Sequence, residues 1–449
     1  MRIGWASREF TPLRPAMLQG QMHRRIARSA LDPLTVTAWA LEGQTPEDST
    51  LFISCDLVSI PDELCRTVRE RLAQRAPELP AERIIMNATH THTSLVLEDG
   101  FYDPPECDVM TPAECLAWVA NCAVEAAVEA WETRKSGILG RAFGHAVVGH
   151  NRHAVYTDRH AEMYGQTNRE DFAWIGGYED HSLDMLFTWE PQGALTGIAL
   201  AIPCPSQVDE QIEKYSADYW HDIRVELRRR LGSQIQILPI CSAAGDQSPH
   251  FLLYGKQEEE MRLRRGVTER QEIARRVADA VECALAHTHP EPTAESRLVH
   301  RVQTVALTPW RITRTERDWA QSAYEEWTAK GDESSWWPKR LHWVVECFEG
   351  KETAQPVHAE IHVVRIGDAV IATSPFELSL DYGMQIKARS PAVQTLTMQL
   401  ASGSGSYLPS ERAVQGGGYG AMPAVADAGP EGGRELVTAT LALINDICR

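Results

Sequence analysis

Ser49-Thr-Leu-Phe-Ile-Ser-Cys-Asp-Leu57 is an apolar, β-rich run that ends on a carboxylate, and a helix-forming stretch, Pro61 to Ala76, follows it at once. A short run without polar alternation reads as a strand buried on both faces, and a proline near the first turn suits a helix start. The next apolar run, Arg83 to Asn87, leads into His90. The same figure recurs along the chain. Ala194 to Ile202 leads into Cys204, Gln234 to Ile240 into Cys241, and Ala369 to Thr373 into the segment around Pro375. Each is expected as a buried strand whose end carries a chemically loaded loop. Helical patterns at Ala113 to Thr133, Asp218 to Leu231, Gln271 to Ala286 and Glu435 to Cys448 complete the alternation. It predicts an α/β fold of mixed β-sheets flanked by helices in layers, with the site at strand ends.

A chain of 449 residues buries a large core without disulfide or metal staples. No linker divides it, so residues 1–449 are expected as one catalytic domain. Formal net charge is −18, which repels phosphate backbones and anionic lipid; nucleic acid is excluded as a partner and a small molecule favoured. The opening MRIGWASREFTPLRP lacks an apolar signal core, and no run reaches eighteen apolar residues. Neither a signal peptide, a transmembrane helix nor stable membrane association is expected. Ten cysteines without a CxxC pair point to a reduced compartment, the cytoplasm. Residues 311–351 carry Trp319, Trp327, Trp336, Trp337 and Trp343 and are expected as a helical insertion or lid. Core packing, or contact between copies in a homo-oligomer, suits these tryptophans equally. No repeat of 20 to 50 residues is visible.

Two segments carry the sharpest local chemistry. In Asn87-Ala-Thr-His90-Thr-His92-Thr, an extended backbone would point both imidazoles to one face, the spacing of two histidines sharing a metal or dividing ligation and proton handling. Surface histidines at a strand end are the plain alternative. In Cys241-Ser-Ala-Ala-Gly-Asp246-Gln-Ser248-Pro-His250, Gly245 allows a tight turn that aims a hydroxyl or backbone amides at a ligand. Ser248 before Pro249 suits a helix N-cap as well. Asp56 is a candidate to orient His90 or His92 from behind. His287 and His289 read as a helix C-terminus.

The order of segments along the chain resembles the neutral/alkaline ceramidase family. The likeness runs through Gly4-Trp-Ala-Ser-Arg-Glu-Phe-Thr11-Pro, Ser54-Cys-Asp56, Ala88 to His92, Asn151-Arg152, Ser216-Ala-Asp218-Tyr, Ala244 to Pro249, Pro375-Phe-Glu377 and Tyr407 to Tyr419. It covers nearly the whole chain. The resemblance implies one zinc ion held by His90, Glu377 and Tyr407, with His92 handling protons. It implies Arg152 and Tyr419 as stabilisers of the developing oxyanion, and Ser248 as nucleophile or orienter of water.

The departures are specific. Where the family shows Cys-His-Pro, this chain reads Ile202-Pro-Cys204-Pro-Ser206-Gln207, so the second histidine ligand is missing. Cys204 is expected to replace it, because a thiolate is a good zinc ligand. That change would weaken the metal as a Lewis acid. Gln247 and His250 also depart from the family loop, and the family's C-terminal immunoglobulin-like domain has no counterpart in this sequence. Three readings therefore stand: a hydrolase of an amide or ester bond of a soluble substrate, a carbohydrate-active enzyme using the same pocket, and a non-catalytic zinc or ligand-binding protein. An apolar channel to the metal favours the first, a polar aromatic-walled pocket the second, and a solvent-closed metal the third.

Overall fold

In a computed structural model, residues 1–44, 48–288, 297–330, 335–352 and 356–449 are described; His289 and residues 331–334 of the tryptophan-rich segment lie outside them. Three mixed sheets dominate, and each is built in the same chain order. In the first, strands Arg2–Glu9, Thr35–Glu42 and Ser49–Cys55 are antiparallel neighbours. The chain then crosses through helix Asp62–Arg75 to Ile84–Ala88, which pairs parallel to Ser49–Cys55. Helix Pro112–Glu132 returns over the same sheet. The second unit repeats this with strands Ile138–His145, Ser182–Trp189 and Leu195–Ile202, helix Tyr219–Leu231, parallel strand Gln236–Cys241 and helix Glu269–Leu285. The third uses Leu298–Leu307, Val357–Ile366 and Ala369–Thr373, helix Leu380–Arg389, parallel strand Gln394–Met398 and helix Pro430–Cys448. The fold is therefore α/β with helix-covered mixed sheets. It carries a threefold recurrence with a period far longer than a sequence repeat of 20 to 50 residues.

Side-chain parity explains why the strands read as unbroken apolar runs. Successive residues point to opposite faces, and here both faces are buried. In the first sheet Val36, Ala38 and Ala40 meet the outer helices, while Trp39 and Leu41 face inward. In the second, Ile198, Leu200 and Ile202 meet their helices, while Ala199 and Ala201 face inward. The inward residues of all three sheets, including Phe52, Ile85, Leu186, Leu238, Ile371 and Met398, form one shared cluster. Burial of this kind contributes roughly 25 cal/mol per Å² of apolar surface.

Polar bonds stitch the units together where the parallel strands end. Asn87 Nδ2 donates to the Pro239 carbonyl (3.0 Å), and the Gln399 amide to the Cys241 carbonyl (3.0 Å). Ala88 donates to Leu400 and Ser402 to Met86. Asp56 lies elsewhere than its sequence position suggested. It orients no histidine but accepts both terminal nitrogens of Arg224 (2.8 and 3.0 Å), itself buried, and the Thr35 amide (2.8 Å).

In each unit a long insertion separates the first strand from the second: residues 10–34, 146–181 and 308–356. The third holds helices Arg314–Lys330 and Trp337–Phe348, which carry four of that insertion's six tryptophans and pack on each other. Among the described residues no helix is long and apolar enough to cross a membrane.

Candidate active site

The loops that leave the strand ends, together with the three insertions, enclose a cleft of about 740 Å³. The first unit supplies His90 and His92, two and four residues past its parallel strand. His90 has φ 63°, a left-handed conformation that a non-glycine residue holds only where its surroundings compel it. Its Nδ1 bonds the Val58 carbonyl (2.7 Å), which turns Nε2 toward the cleft.

The third unit supplies Glu377 and Tyr407. They are direct partners in a short parallel bridge, and the Glu377 amide donates to the Ser406 carbonyl, so carboxylate and phenol stand side by side. Glu377 Oε2 lies 3.3 Å from His90 Nε2. Burial opposes the Glu377 charge, but His90 and Arg152 outweigh it and hold the carboxyl below its ordinary range. The approach depends on Gly245, where a Cβ would come within 2.5 Å of the Glu377 carbonyl oxygen.

Arg152 is fixed from the second unit. Its neighbours His150 and Asn151 pair with Ser248 and Gln247, and its Nη2 donates to the Gly245 carbonyl (2.9 Å). The guanidinium lies 5.3 Å from the Tyr407 ring and 5.9 Å from the Tyr419 ring. Burial works against its charge, but Tyr407, Tyr164 and Glu377 more than compensate. The two tyrosine rings meet edge to face at 5.6 Å. His90, His92, Arg152, Glu377, Tyr407 and Tyr419 thus all line one cleft.

Ser248 and Cys204 do not. The Ser248 Oγ is buried, accepts the His250 amide (3.1 Å) and bonds the Tyr164 hydroxyl (3.1 Å), and it is Tyr164 that faces the cleft. Cys204 is fully buried and continues the helix-facing parity of Ile198, Leu200 and Ile202 into an apolar cluster with Val148 and Tyr219. Its Sγ bonds the Pro205 carbonyl, and burial pushes the thiol well above its ordinary range, so no thiolate is offered to a metal. Cys204→Ser is accordingly expected to leave metal content unchanged and to lower stability by about 1–3 kcal/mol for the buried hydroxyl. Zinc analysis and a melting curve on one sample check both. His181, beside Glu179, likewise lines no part of the cleft.

The residue that faces the cleft from the Cys204 loop is Gln207. Its Nε2 donates to His92 Nε2 (2.7 Å), while His92 Nδ1 lies 3.2 Å from Glu210 Oε2. Burial keeps His92 neutral, against the pull of Glu210. Glu210 is also 3.4 Å from His250 Nε2, and these two histidines hold it anionic despite burial. Arg25, buried, ties the arrangement down through the carbonyls of Gln19, His92, Glu210 and Ile212. Asp218 anchors the Gln207 loop by accepting the Val208 and Asp209 amides. Glu210 and Arg25 carried no motif that sequence reading could single out; Gln207 ended the Ile202 to Gln207 segment, where the sequence pointed to Cys204 instead.

The helical insertion roofs the cleft with Trp327, Trp336 and Arg340, and Trp337 packs on Tyr419 at 6.1 Å. The lining mixes side-chain amides, hydroxyls and aromatic faces with apolar groups from Met22, Val58, Met163, Leu400 and Val425.

No protein-family model and no curated protein sequence matches the chain. Among solved structures, the neutral ceramidase from Pseudomonas aeruginosa is similar with a TM-score of 0.71 at 16% identity, over 99% of this chain and 74% of that one. A ceramidase complexed with C2 is similar with a TM-score of 0.70 at 15% identity, over 99% and 75% of the two chains. The chain therefore has the ceramidase fold, as its sequence motifs had suggested.

Proposed function

We propose that this protein is a hydrolase that cleaves an amide or ester bond of a small-molecule substrate, with one zinc ion resident at His90, Glu377 and Tyr407. The observation that carries the reading is the in-register pair Glu377 and Tyr407 set against His90 Nε2 at the base of a cleft that also holds Arg152.

The donor set suits the metal. Zinc bonds of about 2.0–2.1 Å in tetrahedral geometry place neighbouring ligand atoms about 3.4 Å apart, close to the 3.3 Å between His90 Nε2 and Glu377 Oε2. The Nδ1 contact of His90 with a carbonyl is the usual outer support of a metal-binding imidazole. Among the described residues no three His, Cys, Asp or Glu side chains form a metal cage; Tyr407 as the third donor is what the resemblance implies, and its backbone pairing with Glu377 supports it. Three protein ligands and an open position are the pattern of a catalytic rather than a structural zinc. When bound, zinc supplies a Lewis acid and lowers the pKa of water.

The chain's own residues do the rest. His92, with Nδ1 held toward Glu210, keeps Nε2 as an acceptor; it takes the proton of the attacking water and returns it to the departing nitrogen or oxygen. The Gln207 amide occupies the one lone pair of His92 Nε2 (2.7 Å) and gives way to the incoming water when the proton is taken. Arg152 and the Tyr419 hydroxyl face the carbonyl oxygen as it gains charge. Ser248 positions Tyr164 and is given no covalent role.

Purified protein is expected to carry about one zinc per chain, and His90→Ala or Glu377→Ala to lose most of it. Elemental analysis, alongside release of carboxylate from a panel of amides and esters, tests this. Wild-type protein without zinc, and without binding on its addition, would remove the metal from the reading.

A further inference from the structure

We propose that the substrate is hydroxyl-rich, a sugar-bearing amide or ester; this rests on the hydrolase reading above. The cleft wall beside His90 and His92 holds polar side chains that the protein leaves without partners. Gln19 and Ser59 are only 7% and 8% exposed, and neither side chain makes a hydrogen bond among the described residues. Their polar atoms are not sealed in the interior but open on the cleft, as does the Gln207 carbonyl oxygen, whose amide nitrogen alone is used. Buried amides and hydroxyls are almost always satisfied, so a group left open at a cleft wall is satisfied by what enters it.

The roof supplies the second half of the case. Trp336 is pinned by its Nε1 bond to the Gln21 carbonyl (3.2 Å) and lies 5.8 Å from the Phe101 ring, giving a fixed aromatic wall. Near it, Arg340 donates to Asp427 (2.8 Å), a planar charged pair that both gives and accepts hydrogen bonds. Flat aromatic surface next to several open donors and acceptors matches a sugar ring, which has an apolar face and a hydroxyl rim. A long alkyl chain would leave Gln19, Ser59 and the Gln207 carbonyl oxygen unpaired, and a site built to bond hydroxyls rejects an analogue without them strongly. The reaction is a plain hydrolysis. The water oxygen bonds the carbonyl carbon, the carbon–nitrogen or carbon–oxygen bond breaks with its electron pair on the departing atom, and that atom takes the proton, leaving a carboxylate and an amine or alcohol.

The test titrates the full chain with a panel of N-acyl amino sugars and O-acyl glycosides, N,N′-diacetylchitobiose first, and separately with N-hexanoylsphingosine in detergent micelles. Calorimetry and tryptophan fluorescence report binding; mass spectrometry reports cleavage. Saturable binding of a panel member is expected, weakened tenfold or more in Gln19→Leu and in Ser59→Ala at unchanged melting temperature. Binding of N-hexanoylsphingosine alone, indifferent to both substitutions, overturns the proposal while sparing the hydrolase reading. Saturable sugar binding with no cleavage of any panel member upholds the ligand class and removes the hydrolase reading.

Discussion

Arg152→Met is expected to lower kcat/KM by a factor on the order of 10²–10³, on whichever amide or ester the wild-type chain turns over. It should lower the melting temperature as well, because the guanidinium is buried and bonded to the Gly245 carbonyl; kinetics at a temperature where the variant is folded separate the two. The guanidinium is buried against Tyr407 and Tyr419 and stays charged because its neighbours outweigh the cost of burial. A preformed cation held by its neighbours stabilises an oxyanion without having to reorganise during the reaction. Methionine keeps much of the volume and removes only the charge and the donors. Arg152→Lys should recover part of the loss, since a point charge replaces the planar fork but not its bond to the Gly245 carbonyl. A Met variant retaining a third or more of wild-type kcat/KM would exclude Arg152 from the reacting groups.

Arg224→Met is expected to cost about 3–5 kcal/mol of stability, the largest effect foreseen for a residue outside the cleft. Its partner Asp56 is fully buried and would be left as an uncompensated carboxylate with only the Thr35 amide to bond. The pair also joins two units, because Asp56 follows a strand of the first and Arg224 sits on a helix of the second. The double variant Asp56→Leu with Arg224→Met should recover most of the loss, since removing both charges removes the desolvation cost with them. Denaturant unfolding of the three variants decides it. A single-variant loss below about 1 kcal/mol would mean that water reaches the pair.

Most of the frame was legible in the chain because buried strands and amphipathic helices leave strong local marks. Ser49 to Leu57 became Ser49–Cys55, Ala369 to Thr373 kept both ends, and Ala113 to Thr133 became Pro112–Glu132, started by a Thr111–Glu114 capping box. What failed was the direction of single side chains. A strand buried on both faces has no polar alternation to show which residues look inward, so Cys204 could not be told from a residue facing the cleft. Gln207, three positions on, gave no signal of its own because an isolated glutamine in a loop is ordinary. The Glu377 and Tyr407 partnership joins segments thirty residues apart through backbone pairing, which no local pattern encodes. Ser248 was misplaced for a related reason: its loop does approach the cleft, but Tyr164, from a different insertion, stands between.

The division between strand-end loops and insertions also says how this architecture can be retuned. His90, His92, Glu377 and Tyr407 stand on loops at the ends of core strands, whereas Gln19, Gln21, Tyr164, Trp327, Trp336 and Arg340 stand on the three insertions. Of the groups placed in the chemistry, Arg152 alone belongs to an insertion, and it is clamped to the Gly245 loop. Selection can therefore lengthen, shorten or exchange the cleft walls while the shared core and the reacting groups are inherited intact.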